Sequence, residues 1–281
     1  MVFKTLIDVD SLPALLGGPD IYMVDCRFDL MNPEAGRRAY LEAHIPGARY
    51  ADLNRDLSAP ATPGTGRHPL PPAEVFAARV SALGIGNHTQ VVAYDDANSS
   101  FAARLWWMLR WLGHDAVAVL DGGFKAWTAA GGAREAGEVA PAAEQFTARI
   151  RAESVVSTGE VERALRDGTA LLVDARAAER FAGTVEPIDP VAGHVPGAVN
   201  HPFSVNLAAD GRFLPTSTLE QRWRERLAGA SPEQLIAMCG SGVTACHHLL
   251  SLEAAGLPGG RLYAGSWSEW IADPRRPVGR N

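Results

Sequence analysis

Short apolar runs alternate along this chain with longer segments whose apolar positions recur at helical spacing. Residues 21–24, 91–94 and 117–120 are β-rich runs of strand length. Residues 101–112 read as a helix with a large apolar face, stopped by Gly113. The same grammar returns later, with runs at 171–173 and 235–238 and a helical segment over 243–255 stopped by Gly256. Short apolar strands alternating with helices predict a parallel sheet covered on both faces.

The chain also repeats itself. Val24-Asp25-Cys26-Arg27 returns as Val173-Asp174-Ala175-Arg176, and His44-Ile45-Pro46-Gly47-Ala48 as His194-Val195-Pro196-Gly197-Ala198. Residues 90–94 return at 234–238, and Phe124-Lys125-Ala126-Trp127 as Trp267-Ser268-Glu269-Trp270. The order is kept and the offset stays near 150 residues, so each copy is a whole domain and not a solenoid unit. The expected division is an N-terminal domain over 1–135, a linker over 136–151 and a C-terminal domain over 152–281. The fold class is α/β, as two tandem domains, each with a mostly parallel sheet.

Composition narrows the function. With 281 residues, 47% hydrophobic and 21% charged, the chain can bury two cores. A net charge of −6 argues against nucleic acid as a partner. No apolar run reaches membrane-spanning length, and Asp8 and Asp10 interrupt any signal-peptide core, so a cytoplasmic address is expected. The three cysteines, Cys26, Cys239 and Cys246, form no CxxC pair, so no metal site and no disulfide framework is expected.

Cys239 stands apart. It follows the apolar run 235–238, and Gly240-Ser241-Gly242-Val243-Thr244 leads from it into a helical segment. Sites in open α/β sheets lie at the carboxyl ends of strands. Two glycines permit a tight turn, and amides gathered at a helix N-terminus form a cradle for negative charge. That is the environment of a nucleophilic sulfur; a buried, inert strand-end cysteine is the other reading. In the first copy the matching residue is Asp95, so only one half carries the thiol.

These motifs resemble the two-domain rhodanese sulfurtransferase family over nearly the whole chain. The resemblance rests on the repeated His-Ile/Val-Pro-Gly-Ala and Val-Asp-x-Arg segments, on Leu120-Asp121-Gly122-Gly123-Phe124, and on Gly265-Ser266-Trp267-Ser268-Glu269-Trp270. It implies an inactive N-terminal domain and a catalytic C-terminal one. Its active loop, Cys-Gly-Ser-Gly-Val-Thr, looks like that of the 3-mercaptopyruvate sulfurtransferases. Thiosulfate-using rhodaneses carry basic residues directly after the cysteine, where Gly240 and Ser241 stand here. A neutral loop favours a monoanionic donor over a dianionic one. Related phosphatases need an arginine at the place held by Ala245.

The implied reaction moves a sulfane sulfur from a small donor to Cys239 and on to a thiophilic acceptor: cyanide, a thiol or a thioredoxin-like protein. It needs no cofactor. The resemblance makes Cys239 the nucleophile, with Ser241 as its catalytic companion. It assigns donor binding to Arg180, to the loop residues Gly240, Gly242, Val243 and Thr244, and to His68, reaching the site from the first domain. Two positions depart from the family pattern: Asp189 stands where a second carboxylate-binding arginine is usual, and Asn54 where an acid is usual. Arg67 and Asp52 are the candidate substitutes. Thiosulfate:cyanide transfer and a non-catalytic persulfide carrier or sensor remain the alternatives. The repeated Asp-x-Arg pairs and His44 and His194 are expected to be structural, Cys246 a packed helix residue, and Trp267 and Trp270 pocket walls.

Overall fold

The computed structural model describes residues 2–18 and 20–280. The chain forms two compact units. One contains residues 1–59, 71–151 and 209–213, and the other 60–70, 152–208 and 214–281.

The first unit is built on strands β1 (Leu6–Ile7), β2 (Ile21–Asp25), β3 (Arg49–Tyr50), β4 (Gln90–Tyr94) and β5 (Val117–Leu120), in the order β1-β5-β4-β2-β3. Every pairing is parallel. Its helices are α1 (Glu34–Glu42), α2 (Ala73–Ala82), α3 (Ala102–Trp111) and α4 (Gly123–Ala129). β4 and β5 are buried along their whole length, which is why they read as unbroken apolar runs rather than alternating ones. Trp106 and Trp107 pack on α3 as its apolar face predicts.

The second unit repeats the plan with β6 (Leu171–Asp174), β7 (Val199–Asn200), β8 (Leu235–Met238) and β9 (Arg261–Leu262), ordered β7-β6-β8-β9 and again parallel throughout. Its helices are α5 (Thr158–Asp167), α6 (Ala178–Ala182), α7 (Thr216–Leu227), α8 (Ala245–Ala254) and α9 (Ser266–Trp270). A Ser157–Glu160 capping box starts α5, and Gly168 ends it in the left-handed conformation. From β6 the chain crosses first to β7 on one side and then to β8 on the other, so the strand order reverses between the carboxyl ends of β6 and β8. A reversal of this kind opens a crevice at that edge, and Cys239 is the residue that leaves β8 there.

Conserved geometry within each unit explains the repeated motifs. Asp25 receives three side-chain bonds from Arg27, whose Nη2 also donates to the Ala43 carbonyl. Asp174 and Arg176 do the same, with Gly193 as the carbonyl partner. His44 and His194 each bond a carbonyl through Nδ1, at 2.8 Å, and stack on Tyr40 and Phe181 respectively. Trp267 and Trp270 belong to the core of the second unit and are not pocket walls. The Trp267 indole donates to Val191 and lies under the Arg176 guanidinium.

Candidate active site

The site grows from the turn between β8 and α8. Gly242 has φ of +75°, and a Cβ there would sit 2.3 Å from the Ala264 carbonyl oxygen, so no other residue fits. Cys239 is buried, and its backbone is pinned on both sides. Its N–H donates to Ser266 Oγ at 3.0 Å, and its carbonyl accepts from Trp267 N–H at 3.0 Å. The next carbonyl, of Gly240, accepts from Ser268 N–H at 2.9 Å. Ser266 has φ of +53° and donates its hydroxyl to Tyr263, so it is locked as the anchor of the loop. Sequence reasoning missed it. The signal lay in the repeat, where Ser266 matches Gly123, which has φ of +60°.

The loop amides of Gly240, Ser241, Val243 and Thr244 donate to no carbonyl, carboxylate or hydroxyl among the described residues. Thr244 occupies the N-cap position of α8 without a side-chain cap bond, contrary to the capping expected of a threonine there. The start of α8 is therefore open to a negatively charged group.

The first unit shows what such a turn does when filled. Asp95 leaves β4 as Cys239 leaves β8, and its carbonyl accepts from Phe124 N–H at 2.8 Å, as Cys239 accepts from Trp267. One carboxylate oxygen accepts from Ala97 and Ser99 N–H, the other from Phe101 and Ala102 N–H, at 2.8–2.9 Å. Burial pushes its pKa up against the pull of these four amides. The first unit thus closes its anion cradle with its own side chain. Asp95→Asn would turn an NH2 group toward two of those N–H donors. It is expected to cost about 2–4 kcal/mol, read as a lower denaturation midpoint of the first unit; an unchanged midpoint would contradict the assignment.

Two further chain segments converge on the Cys239 loop. Residues 60–70 precede the linker in sequence, yet they pack within the second unit, so His68 and Arg67 belong to the same body as Cys239 rather than reaching in from the first domain. Gly66 lies so close to the Gly265 carbonyl that a Cβ would meet it at 2.6 Å, and Arg67 N–H donates to Ser268 Oγ at 3.1 Å. This strap brings His68 Nδ1 to 2.7 Å from Ser241 Oγ, with both side chains buried.

Arg180, at the middle of α6, and Arg67 both approach the loop. A Cβ placed on Gly240 would be 2.8 Å from Arg67 Nη2 and 3.6 Å from Arg180 Nη2. Between them sits Asp189, which accepts from Arg67 Nε at 2.9 Å and from Arg180 Nη2 at 3.0 Å. Glu186 accepts from Arg180 Nη2 at 2.7 Å and from Nε at 3.0 Å. Burial works to raise the Glu186 pKa, but Arg180 and the amides of Asp189 and Ile188 outweigh it and hold the group below its usual value. Asp189 thus does not meet a donor carboxylate alone; it ties two guanidinium groups together. Glu186 in this role was not foreseen.

The remaining candidates fall elsewhere. Asp52, in the first unit, accepts from the amides of Asn54 and Arg55 and so closes a local turn. Cys246 is fully buried on α8 and donates to the Gly242 carbonyl at 3.3 Å. Cys26 is buried after β2, where burial first and then Asp25 and Asp95 push its thiol pKa well up.

A cysteine-bearing strand end, an open amide cradle and a tandem parallel fold together define a class. The model of the rhodanese-like domain matches residues 8–130 and again 157–273, and the chain belongs to that family. A Pseudomonas aeruginosa protein named "Probable 3-mercaptopyruvate sulfurtransferase" is 52% identical over 97% of this chain and 97% of its own length. "Thiosulfate/3-mercaptopyruvate sulfurtransferase 2" of Arabidopsis thaliana is 35% identical over 98% of this chain and 86% of its own. The solved structure of 3-mercaptopyruvate sulfurtransferase from Leishmania major superposes with a TM-score of 0.84 at 33% identity, covering 95% of this chain and 74% of that one.

Proposed function

We propose that the chain is a sulfurtransferase that takes sulfur from 3-mercaptopyruvate onto Cys239 and passes it to a thiophilic acceptor. The observation that carries this reading is the Cys239 loop itself, with unclaimed amides at the start of α8 and two guanidinium groups beside Gly240. In the first step the Cys239 thiolate attacks the donor sulfur. The carbon–sulfur bond breaks, its electron pair leaves with the pyruvate enolate, and a proton delivered to that enolate gives pyruvate. The Ser241–His68 pair is the proton path, and the loop amides of Gly240, Gly242, Val243 and Thr244 hold the charge of the persulfide. In the second step cyanide, a small thiol or a reduced thioredoxin-like protein takes the outer sulfur and the thiolate returns. This is covalent, ping-pong catalysis.

Donor choice follows from charge. Arg67 and Arg180 are balanced by Asp189 and Glu186, so the side chains that meet the donor sum to no net charge. A monoanion with one planar carboxylate suits a guanidinium fork there; a dianion finds no excess positive charge to compensate its desolvation. In this reading residues 1–135 form the inactive domain, 136–151 the linker and 152–281 most of the catalytic one. Among the described residues no helix is long and apolar enough to cross a membrane, and a cytoplasmic site of action fits the reduced state that a reactive thiol requires.

Steady-state kinetics with 3-mercaptopyruvate and with thiosulfate, sharing cyanide as acceptor, test the donor. The expected result is a clearly higher kcat/KM for 3-mercaptopyruvate; a preference for thiosulfate would overturn the donor assignment while leaving sulfur transfer intact. Arg180→Ala is expected to raise the KM for 3-mercaptopyruvate roughly tenfold or more, while cyanide discharges a preformed persulfide at the wild-type rate. Unchanged donor kinetics in that variant would remove Arg180 from the site.

A further inference from the structure

The segment after α6 buries the carboxylate of Glu186, whose side chain is only 3% exposed. Its Oε1 accepts from Arg180 Nε and Nη2, at 3.0 and 2.7 Å, and from the amides of Ile188 and Asp189, both at 3.1 Å. Its Oε2 accepts from Arg180 Nε at 3.1 Å and lies 3.4 Å from Arg176 Nη1. Arg176 is itself anchored on Asp174 and on the Gly193 carbonyl. A buried carboxylate needs partners, but these partners have a direction: they run from the structural Asp174–Arg176 pair to the two guanidinium groups beside Gly240.

That direction has a consequence for Arg180. An arginine side chain turns freely about several bonds, and a carboxylate on its Nε–Nη2 edge fixes the plane of its fork. Glu186 takes that edge, and Asp189 also accepts from Nη2. Nη1 keeps no acceptor among the described residues, and it would lie 3.7 Å from a Cβ placed on Gly240. The Asp189 amide ends on the same Glu186 oxygen, so Glu186 also places the carboxylate that Arg67 and Arg180 share. The first unit lacks this addition. Arg27 repeats the contacts of Arg176 with its aspartate and its carbonyl, but its ion-pair partner among the described residues is Asp25 alone. The extra carboxylate belongs to the unit that carries the thiol.

We propose that Glu186 is a positioning residue for donor binding: it presents Arg180 to the Cys239 loop and sets where Asp189 joins Arg180 to Arg67. The inference rests on the reading of Arg180 as a donor-binding residue. Without Glu186 the Arg180 fork must be ordered each time a donor binds, and that cost falls on the bound donor and on the transition state alike. Such a loss raises KM and leaves kcat in place.

Steady-state kinetics of Glu186→Gln, in the wild-type chain and in the Arg180→Ala variant, test the proposal with 3-mercaptopyruvate as donor and cyanide as acceptor. In the wild-type chain the substitution is expected to raise the donor KM about fivefold, with kcat and the cyanide discharge of a preformed persulfide within about twofold. In the Arg180→Ala variant it is expected to change the donor kcat/KM by less than about twofold, since the group it positions is gone. A merely structural role would lower kcat/KM equally in both chains, and that result would overturn the proposal. So would a Glu186→Gln variant with an unchanged KM while Arg180→Ala raises it. An Arg180→Ala variant with unchanged donor kinetics would instead sink the underlying reading of Arg180. Glu186→Asp, which keeps the charge and shortens the reach, carries the same comparison should Glu186→Gln fail to fold.

Discussion

Replacement of Cys239 by serine is expected to abolish persulfide formation and to lower turnover with 3-mercaptopyruvate by roughly four orders of magnitude or more. A hydroxyl in that place is a far weaker nucleophile toward sulfur and forms no sulfur–sulfur bond. The fold should survive. What pins the residue is its backbone, through Ser266 Oγ and the Trp267 amide, and neither contact depends on the side chain. The measurement is a single-turnover assay of pyruvate release alongside thermal unfolding. Lost turnover with a near-native Tm fits the account. Retained turnover would move the nucleophile elsewhere, and a non-catalytic carrier would release pyruvate once and stall even with Cys239 in place.

The second large effect concerns stability in acid. His201, His247 and His248 are buried together in the second unit, beside Trp223 and α8. Hydrogen bonds set the roles of the ring nitrogens in His201 and His248. His248 Nε2 donates to the His201 carbonyl at 2.7 Å, which leaves its Nδ1 to accept from Asn206 Nδ2, and Asn206 Oδ1 accepts from His201 Nε2. Burial pushes His201 down to about 4, helped by Arg226 and Arg222. Burial pushes His247 down to about 3 and His248 well below its usual value. The unfolded chain therefore takes up these protons first. Their contribution is fully present above the ordinary histidine value of 6.5 and is lost progressively as pH falls from there toward about 4.

Each such histidine costs about 1.4 kcal/mol per pH unit within that window. At about pH 5 the three together are expected to remove on the order of 4–6 kcal/mol, a large share of the stability of an ordinary domain. Urea unfolding followed across this pH range measures the slope. His247→Leu removes one titrating group and is expected to flatten the slope by about one proton. Equal slopes in the two proteins would contradict the cluster as the cause.

Much of the architecture is legible in the sequence because both sheets are parallel and buried. Their strands appear as apolar runs, and α3 and α8 as apolar helices closed by Gly113 and Gly256. Cys239 is legible for the same reason: the end of a buried strand is visible, and the glycines after it announce a turn. The partners of Cys239 are harder to read, because they arrive through contacts across great sequence distance. His68 and Ser241 lie 173 positions apart, and Arg67 and Asp189 lie 122 apart. Asp189 looks like a defect in a binding site when judged by its own charge, and only its position between Arg67 and Arg180 shows it as their common acceptor. Trp267 and Trp270 mislead in the opposite way. Aromatic residues next to a loop suggest a wall, but each is buried in the core and donates its indole N–H to a backbone carbonyl.

The central claim is that sulfur passes through Cys239. Intact-protein and peptide mass spectrometry tests it most directly, on chain incubated with 3-mercaptopyruvate without acceptor and then treated with cyanide. The account predicts the mass of one added sulfur on the peptide that contains Cys239, pyruvate released in equal amount, and loss of that sulfur as thiocyanate when cyanide is added. Sulfur found on Cys26 or Cys246 instead, or pyruvate released with Cys239 unmodified, would contradict it.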